Sequence, residues 1–321
     1  MTTVQVEWRY ELDSAFVSES AILSSQFSTK VAGHAATVHL PSLPDPGSES
    51  HVLGPPSASA VHSEPSDFWG TITATSGGTP IGVACRRLVF VGQVTGNAAE
   101  RQAAAEAIVA AMDSWWEAAK SWLEVVTGQK LTQVAHQPVM ALGNKTPVWP
   151  IDSDGTVGKP FSIGSRHALS MTPVNGVTSD LLRESFKLAG EDSPAPLAWL
   201  MLRDARSLQA SGHYRRSIID AGAAAEVAVN KLLDDQHARG LVPVGTFGRT
   251  LGGRARALES TGYALPIANF QGGFVDVRND AVHVTVGAPP ATAADAKAMI
   301  PIAATLVEAA YPLPGGLSRM W

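Results

Sequence analysis

Apolar and polar residues alternate along the first part of the chain, which is the pattern of strands with one buried face. In Val4–Leu12 the apolar side chains occupy every second position, and Ala36–Leu40 repeats the pattern over a shorter span. Phe68–Thr73 and Ile81–Val91 indicate two further strands, separated by a pair of glycines suited to a hairpin turn. The pattern therefore predicts a small β-sheet in the N-terminal part.

The hydrophobic period changes to that of a helix in Asn97–Val126, with Asn97 as the predicted N-cap and Gly128 as the terminator. Three tryptophans share this helix, and they suit either a ligand-stacking surface or a wide apolar face packed on the sheet. These tryptophans are Trp115, Trp116 and Trp122. We favour the packed face, because other apolar residues recur at the same helical spacing.

The segments between these elements set the predicted domain division. Lys130–Met140 is predicted to be another strand, whereas Pro41–Pro65 and Thr146–Val177 are rich in Pro, Gly and Ser and are predicted to be irregular. We therefore expect a β-rich N-terminal domain of unknown role over residues 1–177 and a second domain over residues 178–321.

The second domain is predicted to be almost wholly helical, because apolar residues follow helical spacing from residue 179 onward. The six predicted helices run from Ser179 or Asp180 to Leu188, from Pro194–Pro196 to a break at Ser211–Gly212, from His213 to Ala238, from Thr246 to Thr261, from Ala268 to His283, and from Asp295 to Ala310. The inward side chains of the second are predicted to be Leu197, Leu200, Met201, Ala205 and Leu208. The fold class is α+β, with an antiparallel C-terminal helical bundle.

Composition narrows the class of protein without identifying it. The chain has 321 residues, is 45% hydrophobic and 17% charged, and carries a formal net charge of -5, so any contact with nucleic acid must depend on local charge. The single Cys85 excludes an internal disulfide and a cysteine-based zinc site. Residues 1–13 lack the pattern of a signal peptide, and charged residues interrupt the most apolar helix. We expect a cytoplasmic protein without a membrane contact.

One polar motif interrupts an apolar stretch near the end of the fifth predicted helix. Arg278, Asn279, Asp280 and His283 lie among apolar residues, where polar groups carry a cost of desolvation. Five positions on an ideal helix correspond to about 140° of rotation, so Arg278 and His283 do not share one face. If the helix ends near His283, however, both side chains can turn toward one groove.

This motif, Arg278–His283, resembles the Arg-x4–6-His signature of the HEPN superfamily (higher eukaryotes and prokaryotes nucleotide-binding domains). The helix that begins at Ser211–Gly212 is similar to the early helix of that family, with a turn-forming start, an aliphatic run and the acidic Glu226. The unusually small stretch Ala221–Ala225 in that helix permits close approach of another helix. The resemblance covers about residues 180–310.

The resemblance implies a metal-independent endoribonuclease that needs no cofactor and leaves 2′,3′-cyclic phosphate and 5′-hydroxyl ends. Arg278 is then expected to bind the phosphate and His283 to transfer a proton, while Asn279 holds the phosphate or orients His283. Glu226 is expected to bind Arg278. The family commonly forms homodimers with two motifs in one cleft, and such enzymes are frequently toxins or antiviral defence effectors.

Two other interpretations stay open at this point. Arg278 can be a structural arginine paired with Glu226 or Asp280, with His283 a helix-terminal histidine. Alternatively, the domain is a non-catalytic HEPN module that dimerises or binds a nucleotide or RNA, and the N-terminal domain recognises an unidentified partner. A small basic patch formed by His213, Arg215 and Arg216 is a weak candidate for contact with the RNA backbone.

Other candidate sites are weaker. No pair of histidines has the spacing of a metal site, and we expect no metal; the scattered histidines are His34, His39, His51, His62, His136 and His167. Asp152–Gly155 lacks the later Glu of a calcium loop, so a turn is favoured. Leu251–Arg254 and Gln271–Gly273 contain paired glycines but lack the flanking strand and the Lys of a phosphate-binding loop.

Overall fold

The computed structural model describes residues 2–44, 51–57, 59, 67–132, 134, 175–243, 245, 247–283 and 290–321. Within these residues the fold is α+β, as predicted, with an antiparallel sheet followed by helices. The strands are β1 (Thr2–Glu19), β2 (Gln26–Val31), β3 (His34–His39), β4 (Gly70–Ser76) and β5 (Thr79–Gly96). The helices are α1 (Ala98–Thr127), α2 (Ser179–Gly190), α3 (Leu197–Ala210), α4 (Tyr214–Ala238), α5 (Leu251–Glu259), α6 (Val277–Val282) and α7 (Ala293–Ala310).

The long strand β5 organises the sheet. The strand order is β1-β5-β3-β2, and β4 pairs with the first half of β5 through the Gly77–Gly78 hairpin, where both glycines have positive φ. Four of the five predicted strands are present, and the fifth, Lys130–Met140, lies mostly outside the described residues. The pattern underestimated their length, and it missed β2 altogether, because the middle position of its buried face is the polar Thr29, between Phe27 and Val31. The register of β1 against β5 also shifts between Glu11 and Phe16.

Helix α1 covers one face of this sheet, as the packed-face interpretation predicted. Its ends are as expected, with Asn97 in a capping box and Gly128 in the left-handed conformation. Trp115 packs edge-on against Phe90 of β5, at 5.0 Å between ring centroids. Each tryptophan indole of the helix donates a hydrogen bond within the protein, so the three rings are packing residues.

The core of the sheet extends into the predicted second domain. Helix α2 contributes Leu181, Leu182, Phe186 and Ala189 to that core, although it follows the predicted boundary at residue 177. A second core joins α3 to α7, and Trp122 of α1 belongs to it. Each core therefore contains residues from both sides of the predicted boundary. The division between residues 177 and 178 stays a prediction.

Several predicted helix limits need correction. The helix expected at Thr246 begins only at Leu251, with Thr250 as its N-cap, because the preceding residues form a bend that brings Gly248 against Gly253. Helix α2 is capped by Thr178. Leu197 is 59% exposed at the first position of α3, so its predicted inward direction is wrong.

Some predictions fall outside the described residues. Most of the strand predicted at Lys130–Met140, most of Thr146–Val177, including Asp152–Gly155, and the histidines His62, His136 and His167 lie there, as does part of Pro41–Pro65. Among the residues that are described, no helix combines the length and the apolar character needed to cross a membrane.

Candidate functional site

The helical segment that carries the motif begins with a wide turn. Gln271–Asp276 forms a π-helical turn that continues into α6. Phe270 and Phe274 stack at 4.9 Å between ring centroids and are buried, so the apolar residues before the motif anchor it in the second core. A π-helical turn changes the angle between successive side chains and is frequent at functional sites. The turn therefore changes the direction of the motif side chains relative to the residues before the motif, while Val277–Val282 itself is α-helical.

Gly222 of α4 makes room for Arg278. A methyl group at Gly222 would lie 2.4 Å from Cγ of Arg278, a distance that no side chain tolerates. The predicted close approach at the small Ala221–Ala225 stretch is therefore confirmed, and its partner is the arginine of the motif. The aliphatic stem of Arg278 lies directly against the backbone of α4.

The guanidinium of Arg278 is only partly satisfied. Its Nη1 donates to Oδ1 of Asn279 at 3.3 Å, and its Nη2 lies 3.5 Å from Oε2 of Glu226. Its Nε is buried and has no hydrogen-bond partner. The expected contact between Glu226 and Arg278 is present, but its distance of 3.5 Å is long for a charged pair.

A closer partner of Glu226 is Arg254 of α5, whose Nη1 lies 2.9 Å from Oε1. Arg254 also donates from Nε to the carbonyl oxygen of Gly248 at 3.1 Å. Arg254 thus ties α5 and its preceding bend to α4, and Glu226 is shared between two arginines. Arg254 was not among the predicted site residues; the local feature beside it is the pair of glycines in Leu251–Arg254, which permits α5 to begin against other elements.

Helix α6 ends at Val282, and His283 adopts an extended conformation. This end of the helix confirms the expected ending near His283. Arg278, Asn279 and His283 line one cavity of about 440 Å³, together with Glu226. His283 is exposed, whereas Arg278 and Asn279 are half-buried. The predicted groove common to the arginine and the histidine is therefore present.

Two further arginines line the same cavity and were not among the predicted site residues. Arg249 precedes the N-cap of α5 and Arg256 lies within the helix; both side chains are exposed. The lining thus carries three arginines, at positions 249, 256 and 278, against one carboxylate, that of Glu226. This local excess of positive charge contrasts with the net charge of -5 of the chain. Only the tertiary structure reveals it, because α5 is distant from α6 in sequence.

Asp280 and the predicted basic patch lie apart from this cavity. His213, Arg215, Arg216 and Asp280 line a second cavity of about 720 Å³ on the other side of α6. Arg215 donates from Nε to the carbonyl oxygen of Ala281 at 2.7 Å, so it caps the C-terminal end of α6. The structure therefore does not bring Asp280 or the basic patch to Arg278 and His283.

Asp220, a half-buried acid of α4, lies close to Arg216 of the patch. Burial and the neighbouring Asp204 carboxylate raise the pKa of Asp220, and the charge of Arg216 opposes that rise. Arg216 is therefore electrostatically engaged with its own helix α4.

Over the described part of the chain, no group of three or more His, Cys, Asp and Glu residues has the arrangement of a metal site.

Comparisons with protein-family models, with curated proteins and with solved structures found no match for this chain. The cavity that Arg278 and His283 share, with the chemistry of its side chains, is therefore the feature that bears on function.

Proposed function

We propose that the chain is a metal-independent endoribonuclease of HEPN type, with residues 178–321 forming an HEPN-like helical bundle and the cavity of Arg278 and His283 as its active site. The observation that carries the proposal is that Arg278, Asn279 and His283 line the same cavity, as the resemblance implies for a phosphodiester site.

The side chains suit the reaction. An arginine stabilises the negative charge that builds on a phosphate in the transition state, through permanently charged hydrogen bonds. A histidine can accept the proton of a ribose 2′-hydroxyl or donate a proton to the 5′-leaving oxygen. Attack of the 2′-oxygen on phosphorus with departure of the 5′-oxygen gives a 2′,3′-cyclic phosphate and a 5′-hydroxyl. The contacts of the terminal nitrogens of Arg278 are long, so these nitrogens can donate to a phosphate, whereas its Nε is buried.

A homodimer is part of this proposal. The reaction needs one group to remove a proton and one to deliver a proton, and His283 is the single histidine among the described residues that line the cavity. A second copy of the chain placed across the cavity supplies a second His283 and a second Arg278. Light scattering on the purified protein tests this point, and a monomer at all concentrations contradicts it.

The central experiment is cleavage of total RNA by the purified protein in the presence of EDTA. We expect Arg278→Ala and His283→Ala to lower the cleavage rate at least about 100-fold each, because each removes a group that acts in the transition state. Arg183→Ala and His51→Ala are the matched controls, since both residues are exposed and lie away from the cavity. Wild-type protein that leaves RNA intact, or cleavage that survives both cavity variants, contradicts the proposal.

The engagement of Glu226 favours a second candidate function. Because Glu226 contacts both Arg254 and Arg278, the two arginines also serve to hold α4, α5 and α6 together. In that case the module is a non-catalytic HEPN domain that dimerises or binds a nucleotide or RNA, and the N-terminal part recognises a partner. Binding of RNA without cleavage, with an unchanged dimer in Arg278→Ala, is the result expected from this function.

A further inference from the structure

Two arginines at the cavity, Arg249 just before α5 and Arg256 in its last turn, are called the α5 arginines here and have no evident structural role. Arg249 and Arg256 are both exposed at the cavity. Within the described residues no hydrogen bond or ion pair engages the guanidinium of Arg249, and Arg256 donates only to the carbonyl oxygen of Gly252 in its own helix, at 3.3 Å. Arg254, between them, is the arginine that ties α5 to α4. Arg249 and Arg256 therefore have donors available for a ligand.

The cavity has the size and lining of a site for one nucleotide. Its volume of about 440 Å³ lies in the range of small-ligand sites, about 300–1,000 Å³. Leu251 of α5 and Val275 of the π-helical turn give it an apolar part, and both are buried. The cationic groups come from two elements, with Arg278 on α6 and the other two arginines on or beside α5. An anionic ligand in the cavity can thus contact cationic groups from both elements.

We infer that Arg249 and Arg256 bind a backbone phosphate that flanks the scissile phosphate of a single-stranded RNA, while one nucleotide occupies the cavity between them and Arg278. This inference deepens the proposed function and rests on it for the position of the scissile phosphate. A nucleotide inside a cavity of this size has a phosphate on each side, and one of them lies at Arg278 and His283. The other then lies near the α5 arginines.

The same geometry selects single strands. A base in a duplex is stacked and paired, so its entry into a cavity requires the loss of those interactions. In a single strand the base is unpaired, so the free-energy cost of its entry is small. Glu226 opposes binding of phosphate near Arg278, but its charge is shared with Arg254. Arg249 and Arg256 have no such carboxylate among the described residues, so their charge is available to the RNA.

The test is fluorescence anisotropy with a labelled single-stranded RNA that carries 2′-O-methyl groups and so resists cleavage, titrated at several salt concentrations. We expect Arg249→Ala and Arg256→Ala each to weaken binding about tenfold. The slope of log K against log salt is expected to fall by about 0.7 for each lost phosphate contact. Arg239→Ala is the matched control, since Arg239 is exposed at the end of α4 and does not line the cavity. The corresponding duplex is expected to bind more weakly than the single strand.

Cleavage of an unmodified RNA separates this inference from the proposed function. If both hold, the two α5 variants raise KM and leave kcat nearly unchanged, whereas His283→Ala lowers kcat. Binding that depends on Arg249 and Arg256 in a protein that cleaves nothing supports the phosphate site and contradicts the nuclease. Cleavage with unchanged affinity and salt slope in both α5 variants overturns the phosphate site, as does equal binding of duplex RNA.

Discussion

Two ion pairs in the molecule show the difference between a charge that serves the fold and a charge that is available to a ligand. Glu124 of α1 is 1% exposed, and its carboxylate accepts from the backbone and hydroxyl of Thr132 and from Arg203 of α3. Arg278 of α6 is 26% exposed and keeps a buried Nε without a partner. The first pair is closed by short hydrogen bonds, and the second is open toward a cavity. We interpret the first as structural and the second as a site.

Electrostatics support the same distinction. Burial raises the pKa of Glu124, while Thr132 and Arg203 oppose that rise by stabilising the carboxylate. A carboxylate so deeply buried is tolerated only because its oxygens are occupied by donors. The carboxylate of Glu226, by contrast, is 30% exposed and can exchange a protein partner for water when a ligand enters.

The largest effect is expected from removing the buried ion pair between Glu124 and Arg203. Glu124→Ala removes the carboxylate and leaves Arg203 without its main buried partner, so we expect a loss of about 3 kcal/mol in the free energy of unfolding, measured in urea. Glu106→Ala, at an exposed position of α1, is the control, with an expected change within about 0.5 kcal/mol. Equal stability of the two variants would mean that the Glu124 pair is not structural.

A smaller loss is expected when the open pair is disturbed through its packing. Gly222→Ala forces Arg278 away from α4, so we expect a net loss of about 1 kcal/mol or more in stability, although alanine favours a helix more than glycine does. Cleavage of RNA is expected to fall as far as in Arg278→Ala. Gly245→Ala, where an added methyl group meets nothing within 4 Å, is the matched control. A more stable variant with normal activity would contradict the packing of Arg278 on Gly222.

Glu226→Gln tests the role of the negative charge in the cavity without changing the packing of the side chain. The variant removes the negative charge from the cavity, and because the pairs are partly exposed it should cost less than about 1 kcal/mol of stability. Binding of single-stranded RNA is expected to become several-fold tighter, since fewer counter-charges compete with the phosphate. Weaker binding would show that Glu226 mainly positions Arg278 for the ligand.

The smallest expected effect is the contribution of Asp13, which pairs with Lys120 of α1, to stability at low pH. Burial alone would raise the pKa of Asp13, but hydrogen bonds from Lys120 and Trp116 and the charge of Lys120 outweigh burial and lower it below 3.8. A lowered pKa gives stability that is present above the unfolded value and is lost as the pH falls through the folded value. Asp13→Asn should therefore flatten the loss of stability below pH 3.8, by less than about 1 kcal/mol, because Asp13 is 54% exposed. Identical acid unfolding curves for both proteins would exclude this contribution.

The sequence by itself determined the elements that are marked by a local pattern of apolar and polar residues or by a helix cap. Alternation predicted four of the five strands, and caps at Asn97 and Gly128 predicted α1, because strand alternation and helix capping depend on residues close in the chain. The contact between Arg278 and Glu226 agrees with what the resemblance implied, and α6 ends near His283, as a groove common to Arg278 and His283 requires.

Only the tertiary structure decided which charges meet. Arg249 and Arg256 reach the cavity through the bend before α5, although both are distant from Arg278 in the chain. No local period of the sequence encodes which helices meet at the cavity. That contact follows from how α5 packs on α4 and from the π-helical turn before α6. The local pattern specifies where an element forms, and the long-range packing of elements specifies what its polar side chains face.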